Sequence, residues 1–125
     1  MDALRRVHEA LVRGGLLLDL MPFTAWVPVE AAAGELGRID ARRFAGEVRR
    51  IEAARSRIVR EGLFMPEREI RFDVLEHFDS SARLLEEAAG WRGATVPKGL
   101  RARLERAQPP FRVRETVVLR RLRAR

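Results

Sequence analysis

Apolar residues recur at two periods along this chain, and the switches between the periods mark out its elements. Leu4, Val7 and Leu11 stand at i, i+3 and i+7, one stripe of an amphipathic helix, which predicts a helix from Asp2 to Arg13. Gly14-Gly15 ends it, because glycine takes the left-handed conformation that closes a helix. Leu16-Leu17-Leu18-Asp19-Leu20 then runs without polar alternation up to Met21-Pro22. Such a run reads as a strand buried on both faces, the pattern of a parallel sheet covered by helices. A helix feeding a central strand opens the chain in the middle of an α/β architecture. This predicts that the beginning of the fold lies upstream.

Further along, Trp26 to Glu30 and Glu35 to Ile39 read as short strands of a hairpin around Ala31-Ala32-Ala33-Gly34. Pro28 confines the first of them to an edge or a loop, since it lacks a backbone N–H. Asp40 is the predicted N-cap of a long helix, Ala41 to Glu61, closed by Gly62. Its apolar stripe is Phe44, Val48, Ile51 and Ile58, with Arg42, Arg49, Arg50, Arg57 and Arg60 opposite. From Glu69 to Phe78, Ile70, Phe72 and Val74 alternate with Arg71 and Asp73, the pattern of a half-buried strand. Asp79-Ser80-Ser81 caps a short helix, Ala82 to Ala89, with Leu84, Leu85 and Ala88 inward and Gly90 at its end. Lys98 to Ala107 is a weaker helix carrying Leu100 and Leu104, and Gln108-Pro109-Pro110 breaks the chain after it. The last strand is Phe111 to Leu122: Phe111, Val113, Val117 and Leu119 share one face, Val118 and Leu122 the other. No repeat, low-complexity stretch or domain linker interrupts this order. The 125 residues form one domain.

Composition adds three constraints. Hydrophobic residues at 46% and charged residues at 34% describe a globular chain, and no apolar run approaches the ~20 residues that span a bilayer. A basic start followed by an apolar core is missing too, so no secretory signal and no membrane partner are expected. The absence of cysteine removes disulfides, thiol nucleophiles and cysteine metal sites, and fits a cytoplasmic location. Lys98 is the only lysine, so the net charge of +7 is carried by arginine. Along the long helix arginine alternates with glutamate, a solvated and salt-bridged face. Near the C-terminus Arg112, Arg114, Arg120, Arg121, Arg123 and Arg125 stand against Glu115 alone. A nucleic acid is conceivable as a partner for such a basic end. It is not favoured, because no aromatic is interleaved there to stack a base.

The order of elements and particular residues together resemble a known family. The run Leu4-Arg5-Arg6-Val7-His8-Glu9-Ala10-Leu11-Val12-Arg13-Gly14-Gly15-Leu16-Leu17-Leu18-Asp19-Leu20 resembles the late signature of class I S-adenosylmethionine-dependent methyltransferases. There a helix ends in Leu, a basic residue, Pro, Gly, Gly and leads into the fifth sheet strand. Val12 and Arg13 stand here where that family has its basic residue and proline. Ser80-Ser81-Ala82-Arg83-Leu84-Leu85-Glu86-Glu87-Ala88-Ala89-Gly90-Trp91 is similar to its penultimate helix, and Val113 to Leu122 to its antiparallel closing strand. The resemblance implies a partial Rossmann-like α/β sheet, late strands only, with covering helices and a helical and hairpin insert at about residues 26–68.

That family binds its cofactor with the first half of the sheet, through a glycine-rich loop where backbone approaches ligand at a strand-to-helix turn. Gly34 and Gly37 follow no buried strand, and Gly90 and Gly93 follow a helix. The expectation is therefore a truncated or split methyltransferase with no S-adenosylmethionine site and no activity of its own, the cofactor bound only if a partner or upstream segment completes it. The alternatives are a non-catalytic oligomeric scaffold and an arginine-rich nucleic-acid-binding protein. A missing fourth strand would leave Leu16 to Leu20 as an open edge beside an apolar patch. That predicts a homodimer, or docking of an N-terminal methyltransferase half.

Individual residues carry little chemistry. His8 reads as a packing or surface residue, and His77, near Glu76 and Asp79, as a strand-end histidine rather than a metal ligand or base. Asp19 is the one charge in the leucine run. It must find a partner or lie at the ligand-binding end of its strand, because an unpaired buried charge is costly. The resemblance makes Asp19, Met21, Phe23 and Trp26 the possible substrate-facing set. No catalytic, cofactor or metal residue is assigned.

Overall fold

The computed structural model describes residues 3–125; Asp2, the predicted first residue of the opening helix, lies outside them. The elements follow in the order α1 (Ala3–Ala10), β1 (Leu16–Pro22), β2 (Trp26–Ala31), β3 (Gly34–Asp40), α2 (Arg42–Arg60), β4 (Phe64–Phe78), α3 (Ser81–Ala89), α4 (Lys98–Arg106) and β5 (Phe111–Ala124). The fold is α/β: a five-stranded, open, antiparallel sheet with four described helices. No described helix is long and apolar enough to cross a membrane.

β5 is the hub. On one side β4 pairs with it from Phe64↔Ala124 to Phe78↔Phe111. On the other, β1 pairs from Leu16↔Arg123 to Pro22↔Val117, and β2 takes over at Val29↔Val113. The β2–β3 hairpin completes that side. β1 and β4 thus run parallel to each other with the antiparallel β5 between them.

Side-chain alternation puts Phe111 and Val113 on one face of β5, and Leu122 and Ala124 on the other. The first pair packs with Val27, Val29, Ile39, Phe78, Leu84, Leu100 and Leu104, so the hairpin, α3 and α4 cover that face at one end. The second pair packs with Ile58, Phe64, Leu4, Val7, Leu11 and Leu17, so α1 and α2 cover the opposite face at the other end.

This diagonal cover corrects two expectations about burial. Leu16, Leu18 and Leu20 are 46%, 64% and 54% exposed, so β1 is not a strand buried on both faces. It is an edge strand of an antiparallel sheet, and helices lie over only one of its faces. β4 is not half-buried either: Ile70, Phe72 and Val74 are all exposed, because neither α3 nor α4 reaches that stretch. β4 also begins earlier than its alternation predicts, inside the expected insert.

The helix ends carry two smaller corrections. The N-cap position of α2 falls on Ala41, which offers no side-chain hydrogen bond, while Asp40 one residue earlier still caps the first turn, its Oδ1 accepting the Arg42 N–H at 3.1 Å. The backbone of Asp40 exchanges hydrogen bonds of 2.9 and 2.8 Å with Thr95, which keeps it extended and delays the helix by a residue. The Phe44 N–H instead donates to the carbonyl of Gly93 at 3.3 Å. Gly93 has φ +70°, and a Cβ there would lie 2.7 Å from the Phe44 nitrogen. α3 follows expectation closely, since Ser80 Oγ accepts the Arg83 N–H at 3.2 Å.

Candidate functional site

α2 faces the sheet with part of its predicted apolar stripe, but not with Ile51. Val48 and Ile58 are buried, but Ile51 is exposed while Glu52 and Arg55 point inward. The cause lies on β5, where Arg120 stands on the covered face between Val118 and Leu122, only 6% exposed. Arg120 donates at 2.6 Å both to Glu69 Oε1 across the β4 pairing and to Glu52 Oε1 on α2. Arg55 in turn donates to Glu52 Oε2 at 2.5 Å.

Asp19 enters this cluster from β1. Its Oδ2 lies 3.8 Å from both Arg55 and Arg120 and, like Arg55 Nε, makes no hydrogen bond. Burial pushes the Asp19 carboxyl above its ordinary range; Arg55 and Arg120 pull it back and Glu52 adds to the rise. The group is an internal charge network, three carboxylates around two guanidiniums.

The other three residues singled out with Asp19 do not meet it in one cavity. Met21 is half-buried on the same face of β1. Phe23 lies exposed under the Arg71 guanidinium, 4.9 Å from its ring centre. Trp26 lies under Arg42 at 4.6 Å. The Phe23 N–H donates to the Thr116 carbonyl at 2.8 Å, and the Thr116 N–H to Thr24 Oγ1 at 2.9 Å, which ties this loop to β5.

Most of the C-terminal arginines are spent internally. Arg112 and Arg114 both bind Glu30 at 2.8 Å, and Arg114 also reaches Asp73 at 3.0 Å. These hydrogen bonds, Arg114 first, hold the Glu30 carboxyl down to about 2. Arg121 and Arg123 share Glu67. His8 packs its ring edge against Phe64 and contacts the Arg125 carbonyl, while His77 pairs across from Arg112 on the sheet. Among the described residues no group of three or more histidines, aspartates or glutamates is placed to hold a metal.

One pocket, about 350 Å³, lies where the end of β1, the start of α2 and the turn after α3 converge. Pro22, Val27, Phe44 and Trp91 wall it, and Glu76 and Glu115 project from the same face of β4 and β5. Burial pushes the Glu115 carboxyl up. Burial also raises Glu76, and a hydrogen bond with the Glu87 carboxyl and the charges of Glu87 and Glu115 add to the rise. No local pattern in the sequence points to this pair, because only the strand register brings two such distant residues together.

The strand-to-helix turns do not fit S-adenosylmethionine. They are Asp40-Ala41 and Asp79-Ser80, with no glycine to let backbone approach a ligand. The left-handed glycines lie elsewhere: Gly14 and Gly62 lead from helix to strand, Gly34 sits in the hairpin and Gly93 follows α3. No family model matches the chain, and no curated protein or solved structure matches it.

Proposed function

We propose that this chain is the late half of a class I S-adenosylmethionine-dependent methyltransferase, made whole by a polypeptide segment that carries the cofactor-binding strands. The observation that carries the reading is the β1–β5–β4 arrangement with its open side. An antiparallel closing strand lies between two parallel ones, as the resemblance of Val113 to Leu122 implies. β1 pairs with no described strand on its outer edge. Beside it Leu16, Leu18, Leu20, Ile70, Phe72 and Val74 form an apolar face that no described element covers. An edge and a face left open together suit a missing strand and its helix. In this reading Phe23 and Trp26, exposed just past β1, face the methyl acceptor, and Asp19 orients the strand through its arginines.

A non-catalytic scaffold that buries the same face in a homodimer is the second reading. A nucleic-acid role is the weakest, because five of the six C-terminal arginines are engaged by carboxylates.

Calorimetry tests the first reading. The isolated chain is expected to bind S-adenosylmethionine no tighter than about millimolar, worth only about 4 kcal/mol. Co-expression with a polypeptide bearing a strand and glycine-rich loop from an adjoining reading frame is expected to give a one-to-one complex that binds at about micromolar, about 8 kcal/mol. Micromolar binding by the chain alone, or a stable complex that binds no cofactor, overturns it.

A further inference from the structure

Charge on the bare face of the sheet is sorted from one end to the other. The paired positions of β4 and β5 that share this face run Arg68↔Arg121, Ile70↔Leu119, Phe72↔Val117 and Val74↔Glu115, with Glu76 just beyond. Leu18 and Leu20 of β1 flank the first two of these rows. The face is therefore basic at one end, apolar in the middle and acidic at the other, over about 20 Å at the rise of a strand. Neither end is neutralised within the chain. Arg121 and Arg123 share the single carboxylate of Glu67, and Arg68 forms no ion pair among the described residues. Glu76 and Glu115 form none either; Glu76 shares a hydrogen bond with Glu87, and the neighbouring Arg92 is turned away to Glu47 at 3.2 Å.

We infer that this face stacks on the same face of a second copy about a twofold axis crossing the strands, so that the basic end of each sheet lies on the acidic end of the other. Two stacked sheets, about 10 Å apart, can be related by a twofold axis running along the strands or across them. Along the strands, equal rows meet: Arg121 stands over Arg121 and the two acidic ends face each other, a repulsive arrangement. Across the strands, β4 lies over β4 and β5 over β5, each reversed. With the axis at the middle of the apolar stretch, Arg121 stands opposite Glu115 of the second copy, and Arg68 beside its Glu76. The apolar rows cover one another. A hollow of about 230 Å³ between Leu18, Arg68, Ile70, Leu119 and Arg121 then lies opposite the Phe72 and Val74 rows of the second copy. Stacking of this kind leaves the β1 edge free. The inference rests on the homodimer reading and adds its geometry.

Charge reversal at each end tests it. Sedimentation equilibrium is run on the wild type, R68E/R121E, E76R/E115R and an equimolar mixture of the two variants, with far-UV circular dichroism as the check on folding. Each variant alone is expected to dimerise about tenfold more weakly than the wild type, because the facing ends then carry like charges. The mixture is expected to recover most of that loss, since the reversed ends face each other. R68E and E76R, single changes at exposed positions, replace the double variants should either fail to fold, with the same directions expected. Variants that dimerise as tightly as the wild type, or a mixture no tighter than the variants alone, overturn the stacking across the strands and leave the homodimer reading standing. A wild-type chain that sediments at a single mass overturns both.

Discussion

Arg120 shows how one residue sets what its neighbours do. It stands at 6% exposure on a covered face, and the carboxylates of Glu52 and Glu69 answer it at 2.6 Å. Removing one member of a buried charge group leaves the others uncompensated, which costs more than the group contributes when intact. R120A is therefore expected to destabilise the fold by about 3–5 kcal/mol, read as a lowered urea midpoint. E69Q, at the solvent side of the cluster, is expected to move the midpoint far less. Glu30 gives a pH dependence with a definite sign. Its folded value of about 2 lies below the ordinary 4.5, so its contribution is complete above pH 4.5 and is lost as pH falls toward 2. Urea midpoints across that window are expected to fall more steeply for the wild type than for E30Q. Parallel profiles would show that the pairing with Arg112 and Arg114 contributes nothing.

The elements were readable to different depths. α3 was legible throughout: a serine cap, an apolar stripe and a terminal glycine lie together in sequence, and local hydrogen bonds decide all three. Leu84 is fully buried under it, so L84A is expected to cost about 2–5 kcal/mol. S80A, losing only the cap to Arg83, is expected to cost about 1 kcal/mol, and equilibrium unfolding separates the two. α2 was legible as a helix that buries Val48 and Ile58, but not in the charged residues that share its inner face. Periodicity alone selects Ile51 for the inner face, yet Glu52 and Arg55 turn in because Arg120 lies beneath them. The positions Val48, Glu52 and Arg55, at i, i+4 and i+7, held that signal, but a carboxylate and a guanidinium count as outward until a buried partner is known.

At the scale of the molecule, the open β1 edge and the bare face of β1, β5 and β4 govern behaviour in solution. An apolar surface of this kind beside unpaired strand N–H and C=O groups favours association. Sedimentation of the purified chain at micromolar concentration is expected to give twice the single-chain mass of 14.3 kDa. Phe72→Asp and Leu18→Asp, both on the bare face, are expected to return the single-chain mass while leaving circular dichroism unchanged. A wild-type chain sedimenting at one mass would show that the face tolerates water.

The amino-acid sequence by itself determined the class and order of the elements, the hairpin, the antiparallel closing strand, the capped α3 and the lack of a glycine-rich strand-to-helix turn. Each of those rests on residues a few positions apart, where backbone conformation and side-chain period are local matters. Tertiary structure alone decided which faces are covered. The leucine run and the alternation of β4 promise burial, but burial depends on whether a helix lies over that part of the sheet, and none does. The same holds for the two charge clusters. Asp19, Glu52, Arg55, Glu69 and Arg120 meet because α2 crosses the sheet, and Glu76 and Glu115 meet because the β4–β5 register aligns them. Contacts between residues so far apart in the chain are set by packing and register, which no local pattern encodes.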